Sequence, residues 1–72
     1  MERQPVVSSL MRSVGYDTTA SKLEIEFWDA DVYEYGNVPA NVYAELLASN
    51  SVGRYFNSNI LRNPACTCRQ VA

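Results

Sequence analysis

Apolar and charged residues alternate without interruption from Lys22 to Trp28. Leu23, Ile25 and Phe27 are interleaved with Glu24, Glu26 and Trp28. A period of two is the signature of a strand with one face buried. Asp29-Ala30-Asp31 makes a short connection, and Val32 to Gly36 returns as the second arm of a hairpin. With a three-residue loop, Phe27 is expected to face Tyr33, and Ile25 to face Tyr35. The opposite face then carries Glu24, Glu26, Trp28, Val32 and Glu34. In this register Glu26 opposes Glu34, a like-charge pair that only solvent tolerates, so the acidic face is expected to point outward.

Val7 to Tyr16 reads as an earlier strand. Its apolar positions (Leu10 or Met11, then Val14 and Tyr16) break strict alternation, and a bulge near Arg12 and Ser13 reconciles them. Gly15 fits a bend or a close backbone approach. Asp17 to Ser21 is a polar turn. After the hairpin the period changes. Pro39 suits the first turn of a helix, where a missing N–H costs nothing. That helix is expected to run to about Ser49, with Val42, Leu46 and Leu47 as its apolar stripe and Tyr43 beside them. Ser51 is a good N-cap for a second short helix, to about Leu61, that returns Tyr55, Phe56 and Ile60 to the core. Asn63-Pro64 ends it. Residues 1–6 are expected to be a flexible lead-in, residues 7–63 the domain, and residues 64–72 a tail.

The expected architecture is α+β in two layers: a three-stranded antiparallel β-meander followed by two short helices packed on one face. Leu23, Ile25, Phe27, Tyr35, Val42, Leu46, Phe56 and Ile60 should make the core. At 72 residues the chain makes one domain, too small for a deep internal active site. No apolar run approaches the roughly 20 residues of a membrane span. The first residues carry no apolar segment of the signal-peptide kind, so a cytoplasmic location is expected.

The motifs along this framework resemble one family, the KTSC domain, which takes its name from the C-terminus of some lysyl-tRNA synthetases. Ser8-Ser9 and Gly15-Tyr16-Asp17 look like its first strand, and Leu23, Ile25 and Phe27 like its second. Tyr33-Glu34-Tyr35 is similar to its central Tyr-x-Tyr. Val38-Pro39, Val42-Tyr43, Ser51 to Asn57, and Asn59-Ile60 follow in the family's order. The chain departs from the pattern at the hairpin tip, where Ala30-Asp31 stands in place of a frequent glycine. It departs again at Leu61 to Cys66, where a basic stretch running to Tyr-Pro-Cys is reduced. The resemblance implies stand-alone bacterial or phage proteins and an RNA context through the synthetase. It transfers no catalytic residue.

Chemistry is sparse. The chain has no histidine, which removes the commonest general base and metal ligand. Nothing near Ser8-Ser9 can activate a hydroxyl, and Asp29 and Asp31 read as turn formers. Cys66 and Cys68 supply half of a structural zinc site at most. They read as reduced thiols on a tail, with transient redox chemistry, a shared metal or an intersubunit disulfide as alternatives. No catalytic residue, metal or cofactor is expected.

Two binding surfaces remain. Trp28 and Val32, ringed by Glu24, Glu26 and Glu34, would form an exposed apolar spot for an unidentified protein partner or for self-association. A small phage or mobile-element protein that inhibits a host factor would present such a spot. Charge is also uneven along the chain. Residues 1–45 hold all eight acids against three cations, a net of −5, whereas residues 46–72 hold three arginines and no acid. Arg54, Arg62 and Arg69, with Tyr33, Tyr35 and Tyr55, are therefore candidates for weak RNA binding. The net charge of −2 and the acidic face favour a non-catalytic protein-binding module.

Overall fold

Met11 and Val14 are three positions apart, yet both face the core, because the chain inserts Arg12 as a bulge between them. In the computed structural model, which describes residues 2–72, Met11 pairs with Phe27 and Ser13 with Glu26, so Arg12 has no opposite residue. One extra residue reverses the alternation. The bulge lies where the apolar pattern required it.

The elements are β1 (Arg3–Pro5), β2 (Met11–Asp17), β3 (Lys22–Phe27), β4 (Val32–Gly36), α1 (Ala40–Ala48), α2 (Val52–Phe56) and β5 (Thr67–Gln70). A single turn of π-helix, Asn57–Leu61, extends α2. The strands form one antiparallel sheet in the order β1-β2-β3-β4-β5. The class is the expected α+β, with five strands in place of three. The lead-in and the tail each contribute an edge strand. Every residue of these two strands is exposed. They are held by backbone ladders and polar side chains, which leave no alternation of burial in the sequence.

The helices cover one face of the sheet. Met11, Val14, Leu23, Ile25 and Tyr35 meet Leu46, Val52, Phe56 and Ile60 there, with Val38 entering from the β4–α1 connection. Of the expected core, Phe27 and Val42 are only half-buried at its rim. Phe56 is the hub: its ring meets Tyr35 edge-on at 5.2 Å and Phe27 at 6.2 Å.

Caps and side-chain locks fix the helices. Ser51 caps α2, its Oγ accepting from the Arg54 amide at 3.4 Å. The Asn59 carboxamide donates to the Tyr55 carbonyl at 3.0 Å, and beyond it the Arg62 amide reaches back five residues to Asn57 at 3.2 Å. That longer reach is the π-turn. Tyr16 stacks on Tyr43, with centroids 4.8 Å apart, and its hydroxyl donates to the Val38 carbonyl at 2.5 Å. This ties β2 to the residue that introduces α1. Asp17 Oδ1 accepts from the Thr19 and Ala20 amides and closes the first turn. Among the described residues no helix is long and apolar enough to cross a membrane.

Candidate interaction surfaces

The hairpin register is offset by two residues from the expected one. Leu23 pairs with Tyr35, Glu24 with Glu34, Ile25 with Tyr33 and Glu26 with Val32. Trp28 falls within the turn. The Ala30 amide donates to the Phe27 carbonyl, and the Phe27 amide to the Asp31 carbonyl. Ala30 adopts φ +75° between them, the left-handed residue of a hairpin closed by a bulge. Glu34 therefore opposes Glu24, not Glu26.

This shift dissolves the apolar spot expected on the acidic face. Val32 is only 5% exposed. It lies beside Glu26, and its backbone pairs with residues at the chain end, its amide donating to the Ala72 carbonyl at 2.9 Å. Glu26 accepts from Ser13 Oγ at 2.9 Å. Arg3 pairs with Glu24, and both Arg69 and Lys22 pair with Glu34, at 3.1 and 3.4 Å. The sheet's outer face is thus a row of neutralised charge. Gly15 makes room for it: a Cβ there would sit 3.1 Å from Arg3 Cγ and 2.5 Å from the Glu2 carbonyl oxygen. The charge imbalance along the sequence is partly cancelled in space, since Arg69 of the basic segment returns to Glu34 of the acidic one.

Trp28 instead belongs to one end of the molecule. It is 58% exposed, but its indole N–H donates to the Ser8 carbonyl at 2.9 Å. The Arg12 guanidinium lies over its ring, 5.9 Å from the centroid. Ser8 in turn organises its loop, its Oγ accepting from the Leu10 and Met11 amides. Val7 and Leu10 on that loop are both exposed. Between the loop and α2 runs an open groove of about 640 Å³, lined by Val7, Ser8, Ser9 and Leu10 on one side and by Asn50, Gly53, Arg54 and Asn57 among others on the other. Sequence reasoning singled out Ser8-Ser9 and the Gly53 to Asn57 segment separately. Nothing in their local patterns showed that they meet.

The nucleic-acid candidates do not converge. Tyr35 is buried in the core, where burial, followed by the adjacent Cys68 thiol, raises the pKa of its hydroxyl. Tyr33 is half-buried against Phe27, and its hydroxyl donates to Gln70 Oε1. Tyr55 donates to Glu45 Oε2 at 3.3 Å, and its pKa is raised by burial and by that carboxylate. Tyr55 lines a pocket with Arg54, and neither Arg62 nor Arg69 is in that lining. Arg69 lies on the outer sheet face with Glu34, away from Arg54 and Arg62 on the helical side. Cys66 packs at the core rim, its thiol raised by burial, and Cys68 is exposed on β5. Among the described residues no three metal-ligating side chains gather.

Residues 7–63 match the family model of the KTSC domain. This chain belongs to the KTSC family. It is 44% identical over 57 residues to an uncharacterized protein of Stutzerimonas stutzeri strain A1501, covering 79% of this chain and 80% of that one. It is 41% identical over 54 residues to a protein of Tsukamurella paurometabola, covering 75% and 81%. The crystal structure of a KTSC domain protein from Yersinia pestis superposes with a TM-score of 0.88 at 34% identity, over 99% of this chain and 97% of that one. The likeness to this KTSC structure spans both edge strands as well as the segment matched by the family model.

Proposed function

We propose that this KTSC domain is a non-catalytic module that binds another protein through the end built by residues 7–10, Trp28 and α2. The observation that carries this reading is the state of Trp28. It is exposed, yet locked by the hydrogen bond to Ser8 and by the guanidinium of Arg12. A large side chain held in place without a partner loses little conformational entropy when it is covered. Tryptophan and arginine are also the residue types that dominate interface energetics. The exposed aliphatic side chains of Val7 and Leu10 extend the surface. Groups of the outer sheet face are already satisfied by one another.

Capture from a bacterial lysate with wild-type domain and with Trp28→Ala tests this, followed by titration of the purified partner. We expect nuclease-resistant capture, and a loss of affinity of roughly 30-fold in Trp28→Ala, the size of an interface hot spot. Capture abolished by nuclease, or a partner indifferent to Trp28→Ala, would remove this reading. Salt-sensitive binding of single-stranded RNA or tRNA that disappears in an Arg54→Glu, Arg62→Glu variant would replace it with nucleic-acid recognition.

A further inference from the structure

The groove beside Trp28 specifies the chemistry of the partner, on the reading just proposed. We infer that it accepts a short protein segment in which a large apolar side chain stands next to a carboxylate. Three of the chain's six cations are consumed on the outer sheet face by Glu24 and Glu34. Arg12, Arg54 and Arg62 hold no ion pair among the described residues. Two of these belong to this end of the molecule: Arg54 lines the groove, and Arg12 covers Trp28. On the loop side of the groove Val7 and Leu10 contribute exposed aliphatic surface beside Ser8 and Ser9. Two exposed aliphatic side chains and the unpaired guanidinium of Arg54 in an otherwise polar groove complement an apolar side chain next to an acid.

Gly53 lines the groove where α2 faces Ser8 and Leu10. A Cβ on it would lie 3.5 Å from Leu10 Cβ and 3.7 Å from Ser8 Oγ, ordinary packing distances. These nearest neighbours are all side-chain atoms, so a longer side chain at position 53 crowds the groove against Leu10 and Ser8 rather than against backbone. The same features favour a peptide over RNA. A base needs a flat face to stack upon, and no aromatic side chain lines the groove. One face of Trp28 is already covered by Arg12, and its N–H is committed to Ser8.

A displayed library of random twelve-residue peptides, selected on the wild-type domain and counter-selected on Gly53→Leu, tests the inference. Selected peptides are then synthesised with each acidic residue and with its amide counterpart. Both are titrated against the fluorescence of Trp28, the single tryptophan. Gly53 has no positive φ and sits in a helix, where leucine is the better helix former, so Gly53→Leu is expected to keep or raise the melting temperature. We expect the peptides to share an apolar–acidic pair. Roughly tenfold weaker binding is expected for the amide counterpart and for Arg54→Gln, the loss of one charge-assisted hydrogen bond, and no measurable binding for Gly53→Leu.

The inference is overturned by no enrichment, by enrichment without acidic preference, or by binding that survives Gly53→Leu. If such peptides still fail on Trp28→Ala, the groove assignment falls while the protein-binding role stands. Peptides indifferent to Trp28→Ala, or binding of a twelve-residue uridine oligomer alone, remove both. Concentration-dependent dimers abolished by Gly53→Leu would make the occupant a second copy of the chain and also overturn it.

Discussion

Glu24 and Glu34 stand directly opposite each other on neighbouring central strands, each held by a cation from an edge of the sheet. Arg3 on β1 reaches Glu24 across Gly15, and Arg69 on β5 reaches Glu34, where Lys22 joins it. Like charges directly opposed in a sheet destabilise it. Both glutamate side chains are 17% exposed, so water alone does not screen them. The edge strands offset the repulsion, and the repulsion in turn gives two short polar strands a reason to dock.

Arg69→Ala should therefore cost about 0.5–1 kcal/mol, the upper range for a single surface pair. Adding Glu34→Gln should recover most of that loss, because the repulsion leaves with the charge. Urea unfolding of the four members of this double-mutant cycle measures the coupling. Near 1 M salt the coupling should shrink, since the screening length falls to about 3 Å. A cycle that closes without coupling at low salt contradicts the account.

Ala30 occupies a left-handed conformation, φ +75°, that costs a residue bearing a Cβ about 1–2 kcal/mol. Glycine removes this cost but gives the unfolded chain more freedom, an offset of about 0.4–1 kcal/mol. Ala30→Gly should therefore stabilise by roughly 0.5–1 kcal/mol. For a domain of this size that is a rise of about 2–8 °C in melting temperature. Calorimetry settles it, and a lower melting temperature would show that the turn relaxes to another type.

The same turn explains why the hairpin was only half legible. Shifting the pairing by two residues leaves every side chain on its own face, so the alternation at Leu23, Ile25 and Phe27 predicts the faces and is silent about the partners. Turn chemistry decides the register, and alanine in place of glycine hides it. The bulge at Arg12 was legible because Met11 and Val14 break the period. The edge strands were not, since Arg3-Gln4-Pro5 and Thr67 to Gln70 bury nothing. At the interaction surface, Trp28 stood out as a large apolar residue beside a turn. Its true neighbours, Ser8 and Arg12, come from β2 and the loop before it, and only the fold brings them together.

Leu46 is fully buried, the single buried residue of α1. It joins the core cluster shared with the sheet and α2, while Tyr43 of the same helix stacks on Tyr16 of β2. Leu46→Ala removes the transfer energy of the side chain and leaves a cavity, together about 2–5 kcal/mol. Because so short a chain has only a few kcal/mol to lose, much of the population should unfold at room temperature. Far-ultraviolet circular dichroism and amide exchange read this directly. An unchanged melting temperature would mean that α1 is held by other contacts.

Alkaline titration probes Tyr35. Burial, followed by the Cys68 thiol and Tyr33, raises its pKa well above the ordinary tyrosine value of 10.0. The folded protein thus keeps a proton that the unfolded chain gives up near pH 10. Below that pH both states are protonated and the contribution to stability is complete. Above it the unfolded chain binds fewer protons, so stability falls as pH rises. The limit for one group is about 1.4 kcal/mol per pH unit. Cys66 and Tyr55 are also raised and act with the same sign, so some alkaline loss remains without Tyr35. Tyr35→Phe keeps the ring against Phe56 and removes the titrating hydroxyl. Its urea midpoint should fall less steeply than that of the wild type between pH 10 and 11, while both proteins stay flat from pH 7 to 8. Parallel curves over that alkaline interval would show that Tyr35 ionises in the folded protein as readily as in the unfolded chain.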